Sequence, residues 1–304
     1  MFDYRSFAAL AAAAEEGGTA VSAVVLADQA RQMERSEKEL FNEMRAALEV
    51  MKAAVAGGSD PLLRSPSGLS GGLSFKMKER LGKETLSGPF CTAAIARALA
   101  AAEYNAAMGR IVAAPTAGAC GILPAAVLTM LEGDFVAGDT GQRSGPFRRV
   151  TEDAAVMSLF TAGALGMVIA GEACIAGAEG GCQAECGSAS AMAAAALTEL
   201  AGGSPAGVSH AAAIALKNQL GLVCDPVAGL VEVPCVKRNA GGIMCAIGAA
   251  EMALAGIESV IPLDEVIAAM GEIGAALPAS LRETARGGLA ATPSGLEIRR
   301  KIFG

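Results

Sequence analysis

The sequence of 304 residues has no tryptophan, two tyrosines and a single histidine, and aromatic residues make up only 4% of it. Hydrophobic residues still amount to 53%, much of it alanine, with 38 glycines beside them. Large rings cannot fill such a core. Helices approaching closely across small side chains can, alanine being the best helix former. Charge is sparse as well, at 18% of residues, with a net charge of −7 and a pI near 5.0. No run of Lys or Arg is long enough to grip a phosphate backbone, which argues against nucleic acid as a partner. The eight cysteines lack the dense spacing of a secreted disulfide scaffold, and Met1-Phe2-Asp3-Tyr4-Arg5 lacks the basic and apolar parts of a secretory signal. A reducing, cytoplasmic setting is expected.

A mean hydropathy of +0.44 raises the question of a membrane span. Ala154–Gly171 runs 18 residues without a charge, at the lower edge of what a bilayer requires. It is rich in Ala and Gly, contains Ser158 and Thr161, runs directly into Glu172 and has no aromatic belt. These features favour a buried central helix, with no membrane as partner.

Along the chain, residues 1–60 are the most polar part. Ser36-Glu37-Lys38-Glu39 fits a capping box, after which Leu40, Phe41, Met44, Leu48, Met51 and Val55 recur at helical spacing. Gly57-Gly58-Ser59-Asp60-Pro61 stops that helix, and Ser65–Gly72 reads as an ordered loop or boundary. Helices are expected at Phe90–Met108 and at Ile122–Leu131, with Pro124 in its first turn. A polar, irregular stretch follows from Glu132 to Arg149. Further buried helices are placed near 151–178, 184–201, 209–220 (capped by Ser209), 236–256 and 263–276. Alternation with period two is scarce. The expected fold is mainly α, a compact bundle of Ala/Gly-rich buried helices with ligand-bearing loops at helix N-termini. A polar helical region, 1–60, packs on a chemical domain, 61–304, the two forming one folding unit.

Three cysteines stand out. Cys182 follows Gly180-Gly181 and precedes a helix, Cys224 follows the helix closed by Gly221, and Cys235 follows Pro234 and opens the next helix. Thiolates are soft, anionic ligands for iron–sulfur clusters or zinc. Three of them leave a coordination position open for catalysis. Cys182 and Cys235 lie near helix N-termini, where a lowered thiol pKa is expected. The intervals of 41 and then 10 residues resemble neither zinc fingers nor ferredoxins, so spacing selects no particular metal. Cys186, one turn after Cys182, competes with it; the Gly-Gly approach favours Cys182. Cys91, Cys174 and Cys245 read as packing within apolar helices, and Cys120 as a small filler in a Gly-rich loop. His210 reads as a capping or surface residue, and no side chain stands out as a proton acceptor.

Several motifs occur in one order: Ser70-Gly71-Gly72, Asn105-Ala106-Ala107-Met108-Gly109, Pro115-Thr116-Ala117-Gly118-Ala119-Cys120-Gly121, Gly181-Cys182-Gln183-Ala184-Glu185, Cys224-Asp225-Pro226-Val227-Ala228-Gly229-Leu230-Val231 and Pro234-Cys235-Val236-Lys237-Arg238-Asn239-Ala240. From about residue 20 to 285 the chain resembles the alpha subunit of the iron–sulfur-dependent L-serine dehydratase family. The resemblance implies a [4Fe-4S] cluster on Cys182, Cys224 and Cys235, with one iron left for substrate. It also implies conversion of L-serine to pyruvate and ammonia in a lyase reaction without pyridoxal phosphate.

Around that cluster, the loops Ser70-Gly71-Gly72 and Thr116-Ala117-Gly118 are expected to hold the substrate carboxylate and hydroxyl through backbone N–H groups. Lys76 is a candidate carboxylate anchor or base. Arg238 and Asn239 are expected to support the cluster sulfurs or their ligands. The family exists as fused chains or with a separate beta subunit. The regulatory portion is absent from this sequence, so a hetero-oligomer with that subunit is expected, and the base could come from the partner. Two other readings stand beside this one: a related [4Fe-4S] lyase releasing sulfide from L-cysteine, and a non-catalytic module in which the metal only staples helices.

Overall fold

Helices supply every regular element in the residues described, 1–133 and 150–304, of this computed structural model. In chain order these are α1 (Phe7–Glu16), α2 (Val21–Gln32), α3 (Glu37–Gly57), α4 (Leu73–Leu81), α5 (Gly88–Ala106), α6 (Ile122–Glu132) and α7 (Glu152–Glu172). There follow α8 (Gly177–Gly180), α9 (Ser188–Leu200), α10 (Pro205–Lys217), α11 (Cys235–Leu254), α12 (Leu263–Ala276) and α13 (Pro293–Phe303). Extended pairing among the described residues is limited to one isolated bridge, between Cys224 and Arg282. The mainly α expectation holds.

Local signals account for most boundaries. The Ser36 hydroxyl accepts from Glu39 N while the Glu39 carboxylate accepts from Ser36 N, so both halves of the capping box form at the start of α3. Two expectations are corrected. The helix placed at 151–178 ends at Glu172, where Ala173 leaves helical geometry, and Gly177–Gly180 forms a separate short helix. The helix assigned a Ser209 cap begins at Pro205 instead, with Ser204 accepting from Gly207 N, and the Ser209 hydroxyl merely bonds back to Pro205 O. Proline at the first helical position is pre-set for helix, which makes Ser204-Pro205 the stronger start. The stretch expected to be irregular from Glu132 to Arg149 lies, beyond Gly133, outside the described residues.

At the centre is α9, whose residues from Ser188 to Thr198 are all buried, packed against α6, α7, α10 and α11. Helix α7, charge-free between Asp153 and Glu172, is long and apolar enough to cross a membrane. Here Ala155, Val156, Leu159, Leu165, Val168 and Ile169 are buried against α2, α3, α9 and α12. The N-terminal helices are less peripheral than their polarity suggests: Phe7, Leu10 and Val21 are fully buried in the same core cluster as α7 and α9.

Alanine and glycine allow the close approach that this packing needs. Beside α3, a Cβ on Gly58 would lie 1.8 Å from Ala100 O of α5. Backbone therefore runs against backbone where α3 ends.

Candidate active site

Cys182, Cys224 and Cys235 come from three separate segments to lie close enough to feel one another's charge. Gly181 adopts a φ of 76°, and a Cβ there would stand 2.6 Å from Leu277 Cδ1 and 2.9 Å from Leu222 O, so only glycine fits. Cys182 follows at the mouth of a π turn, Gln183–Gly187, that runs into α9 and carries Glu185 and Cys186. Such widened turns recur at functional sites because they redirect side chains.

Gln183 sets the path of this segment. Fully buried, it donates its N–H to Leu222 O (2.9 Å), accepts from Gly221 N at Oε1 (2.8 Å) and donates Nε2 to Met270 O (3.0 Å). The turn bearing Cys182 is thereby fixed both to the turn that delivers Cys224 and to α12. Cys224 itself donates to Leu281 O (2.9 Å) and accepts from Glu283 N (2.8 Å).

Cys235 opens α11, and Arg238 and Asn239, about one turn on, bind its surroundings together. Asn239 Nδ2 donates to Cys235 O (3.0 Å) and Gly118 O (2.8 Å), while its Oδ1 accepts from Gly121 N (2.8 Å). One side chain thus joins a candidate ligand to the Thr116–Gly118 loop. Arg238 donates to Val223 O and Asp225 Oδ1, each at 2.8 Å, and stands within hydrogen-bonding reach of Cys182.

Cys182, Cys186 and Cys224 are each 2% exposed and Cys235 7%. Cys182 and Cys186 sulfurs lie 3.4 Å apart, within hydrogen-bonding distance. Cys182 is the more acidic of the two, held below the usual thiol value by Cys186 and, against burial, by the charge of Arg238. Cys186 keeps its proton. Burial and then the neighbouring Cys182 push Cys224 well up and Cys235 to about 12. A lowered value was expected for Cys235 from its helix N-terminus; desolvation and a nearby thiolate outweigh the dipole. Four buried thiols that feel one another's charge cannot all ionise unless a cation joins them. A bound metal centre reverses this balance and deprotonates its thiol ligands. Among the described residues, no three His, Cys, Asp or Glu side chains converge on a point that would hold a single metal ion. In a cluster each thiolate binds a different iron, so its ligands need no common point.

Glu185 is a half-buried carboxylate beside these thiols that sequence reading left without a role. Its Oε1 accepts from the Thr116 hydroxyl at 2.7 Å, and its Oε2 lies 3.9 Å from Cys224 Sγ. Burial first raises its pKa, against the Thr116 hydrogen bond, and Glu283 adds to the rise. The signal was its place in the Gly181–Glu185 stretch, but its partner Thr116 is 69 residues away.

The other candidates fall outside this knot. Ser70 is buried and bonded to Ser65, and the Leu73 and Ser74 amides beyond it donate to Glu103, each at 2.9 Å. The N–H groups at the start of α4 are thus taken by the protein's own carboxylate. This loop meets the segment before Cys235 through Ser67, which donates to Glu232 at 2.6 Å. Lys76 is exposed on α4. His210 Nδ1 accepts from Ser259 N at 3.2 Å, on α10. Cys120 is packed beside Ala101 O, as a filler would be.

A family model described as serine dehydratase alpha chain matches residues 16–290. The probable L-serine dehydratase alpha chain of Bacillus subtilis (strain 168) is 51% identical over 286 residues, covering 93% of this chain and 90% of that protein. The L-serine dehydratase alpha chain of Peptoniphilus asaccharolyticus is 42% identical over 297 residues, 95% of this chain and 94% of that one. The L-serine dehydratase TdcG of Escherichia coli (strain K12) is 48% identical over 195 residues, 64% of this chain but 40% of the longer relative.

Proposed function

This chain belongs to the serine dehydratase alpha-chain family, and from that premise we propose that it is the catalytic subunit of an L-serine dehydratase, a lyase converting L-serine to pyruvate and ammonia. The observation carrying this reading is the meeting of Cys235 and Cys224 with the Thr116–Gly118 loop through Asn239 and Glu185, with Cys182 near enough for its charge to act on both thiols.

Cys182, Cys224 and Cys235 would hold a [4Fe-4S] cluster, Arg238 offsetting part of the negative charge that three thiolates bring. Support for the fit comes from the donors: soft sulfurs, buried together, whose ionisation needs a cationic centre. Bound there, the cluster supplies a Lewis-acidic iron to which the charge of a departing hydroxyl can pass. Pyridoxal phosphate has no part in the reading.

The chain's own residues shape the rest. Asn239 keeps the Thr116–Gly118 loop at a fixed offset from Cys235, so substrate bound on that loop is oriented relative to the ligands. Ser70, Gly71 and Gly72 would buttress the site from the α4 side. Loss of the Cα proton and the β-hydroxyl from serine leaves aminoacrylate, and its hydrolysis in water gives pyruvate and ammonia. The relatives' designation as alpha chains supports a separate beta subunit, as does the greater length of TdcG. A cytoplasmic location accords with eight free cysteines. The continuous core from α1 to α12 supports residues 1–60 and 61–304 acting as one folding unit.

The test is oxygen-free purification of the chain with its companion subunit, cluster spectroscopy, and pyruvate release from L-serine and L-cysteine side by side. Serine turnover that tracks cluster content is expected. Turnover of cysteine alone would assign the sulfide-releasing lyase instead, and full turnover without iron would remove the cluster from the reaction.

A further inference from the structure

We propose that Glu185 and Thr116 form the subsite that reads the α-ammonium group of the substrate, Glu185 contacting it directly and also orienting the Thr116 hydroxyl. The inference rests on the serine dehydratase reading and adds to it how the amine is recognised.

Three observations carry it. The first is the pair of glycines packed against the carboxylate. A Cβ on Gly118 would stand 3.3 Å from Glu185 Oε1, and one on Gly177 would stand 2.7 Å from Oε2. Two glycines from separate segments thus keep side chains away from both oxygens. Glu185 and Thr116 are themselves half-buried, so the pair is reachable from solvent.

The second is charge. Among the described residues, no Lys, Arg or His forms an ion pair with Glu185. The charge of Arg238 reaches it, but that guanidinium is committed to Asp225 and Val223 O, and Glu283 adds a second negative charge nearby. A half-buried carboxylate in this setting attracts an ammonium and repels a carboxylate.

The third is hydrogen-bond direction. A hydroxyl has one proton to donate, and that of Thr116 goes to Glu185 at 2.7 Å. Only lone pairs remain on Thr116 Oγ1, so toward substrate it accepts. Ammonium N–H groups satisfy it; a substrate carboxylate does not. Direction alone leaves the amine and the serine hydroxyl as donors to Thr116, and the negative charge of Glu185 beside it selects the cationic amine. The amine and β-hydroxyl of serine sit on adjacent carbons. With Glu185 Oε2 3.9 Å from Cys224 Sγ, an amine held here leaves that hydroxyl beside the thiol wall.

The experiment uses the holoenzyme, reconstituted without oxygen together with its companion subunit, as wild type and as Glu185→Gln, Thr116→Val and Thr116→Ser. Cluster content is measured by visible absorbance, KM and kcat with L-serine, and the inhibition constant of 3-hydroxypropanoate, which keeps the carboxylate and hydroxyl but lacks the amine. At wild-type cluster content, Glu185→Gln and Thr116→Val are expected to raise KM for L-serine about tenfold or more while changing inhibition by the amine-free compound less than about twofold. Thr116→Ser, which keeps the hydroxyl, should restore the wild-type KM. Equal weakening of both compounds, or an unchanged serine KM, overturns the proposal. If Glu185→Gln takes up no cluster, Thr116→Val decides by the same split, and loss of the cluster in that variant too assigns the pair a structural role and overturns it. A wild type that binds a cluster yet releases no pyruvate from L-serine would sink the functional reading itself, a result separate from any variant's.

Discussion

Two sulfurs 3.4 Å apart make the sharpest question at the level of single residues, since Cys182 and Cys186 could each be offered as a ligand. The Cys186 hydrogen bond and then the charge of Arg238 lower the pKa of Cys182, while the same contact and burial raise that of Cys186. Replacing Cys182, Cys224 or Cys235 by serine should therefore abolish the visible absorbance of the reconstituted cluster, and Cys186→Ser should keep most of it. Equal loss in Cys186→Ser would move the assignment by one turn. Gln183 offers a second test. Gln183→Leu keeps the bulk but removes its hydrogen bonds to Gly221 N–H and Met270 C=O, together worth about 1–3 kcal/mol. Chemical denaturation should show a loss in that range, and cluster uptake should fall with it because Cys182 and Cys224 lose their common anchor.

Between elements, close backbone approach and one buried carboxylate set the expectations. Gly58 has an ordinary φ of −73°, so Gly58→Ala adds no backbone strain of its own, yet the new methyl would meet Ala100 O. Prising α3 from α5 should lower stability by about 1–3 kcal/mol or more, read as a lower Tm. Glu199 of α9 accepts from Ser22 N of α2 (3.2 Å) and from the Thr161 hydroxyl of α7 (2.7 Å). Burial raises its pKa above the unfolded value, despite those hydrogen bonds. As pH falls through the raised folded value, the native state takes up a proton before the unfolded chain does, so stability rises until the ordinary carboxylate range is reached. Thermal melts across that window should show this gain in the wild type and its absence in Glu199→Gln; parallel curves would contradict it.

The same scale shows what a sequence discloses. The α3 boundaries were legible because Ser36, Glu39 and Gly57-Gly58 signal within a few residues of one another. At α10, two serines competed as caps, and the weight belonged to the one followed by proline. The Cys182, Cys224 and Cys235 motifs could be read from local sequence. The role open to Glu185 could not, since Thr116, Gly118 and Gly177 meet it only after α5, α6 and α7 have packed. The burial that raises the Cys235 pKa is equally a product of the assembled fold.

For the whole molecule, the size of the alanine-rich core separates folding from metal binding. The buried cluster reaches from Tyr4 to Met270, and the cysteine loops hang from it. Small metallo-domains unfold when the metal leaves, because they have little else to bury. Here chelation should bleach the cluster absorbance while far-UV ellipticity changes by less than about a tenth. Collapse of the helical signal would show that the metal completes the fold.

Residues beyond α12 give Cys224 its footing. Leu281 and Glu283 bond its backbone on either side, Leu289 N–H meets Asp225 at 2.7 Å, and α13 packs on the short turn at Val227–Gly229. Leu296 and Phe303 of α13 remain 46% and 63% exposed. The tail is thus a rail for the second cysteine: severed ahead of Leu281, it would leave that residue's amide and carbonyl to water, and a load applied to α13 would be transmitted to the sulfur.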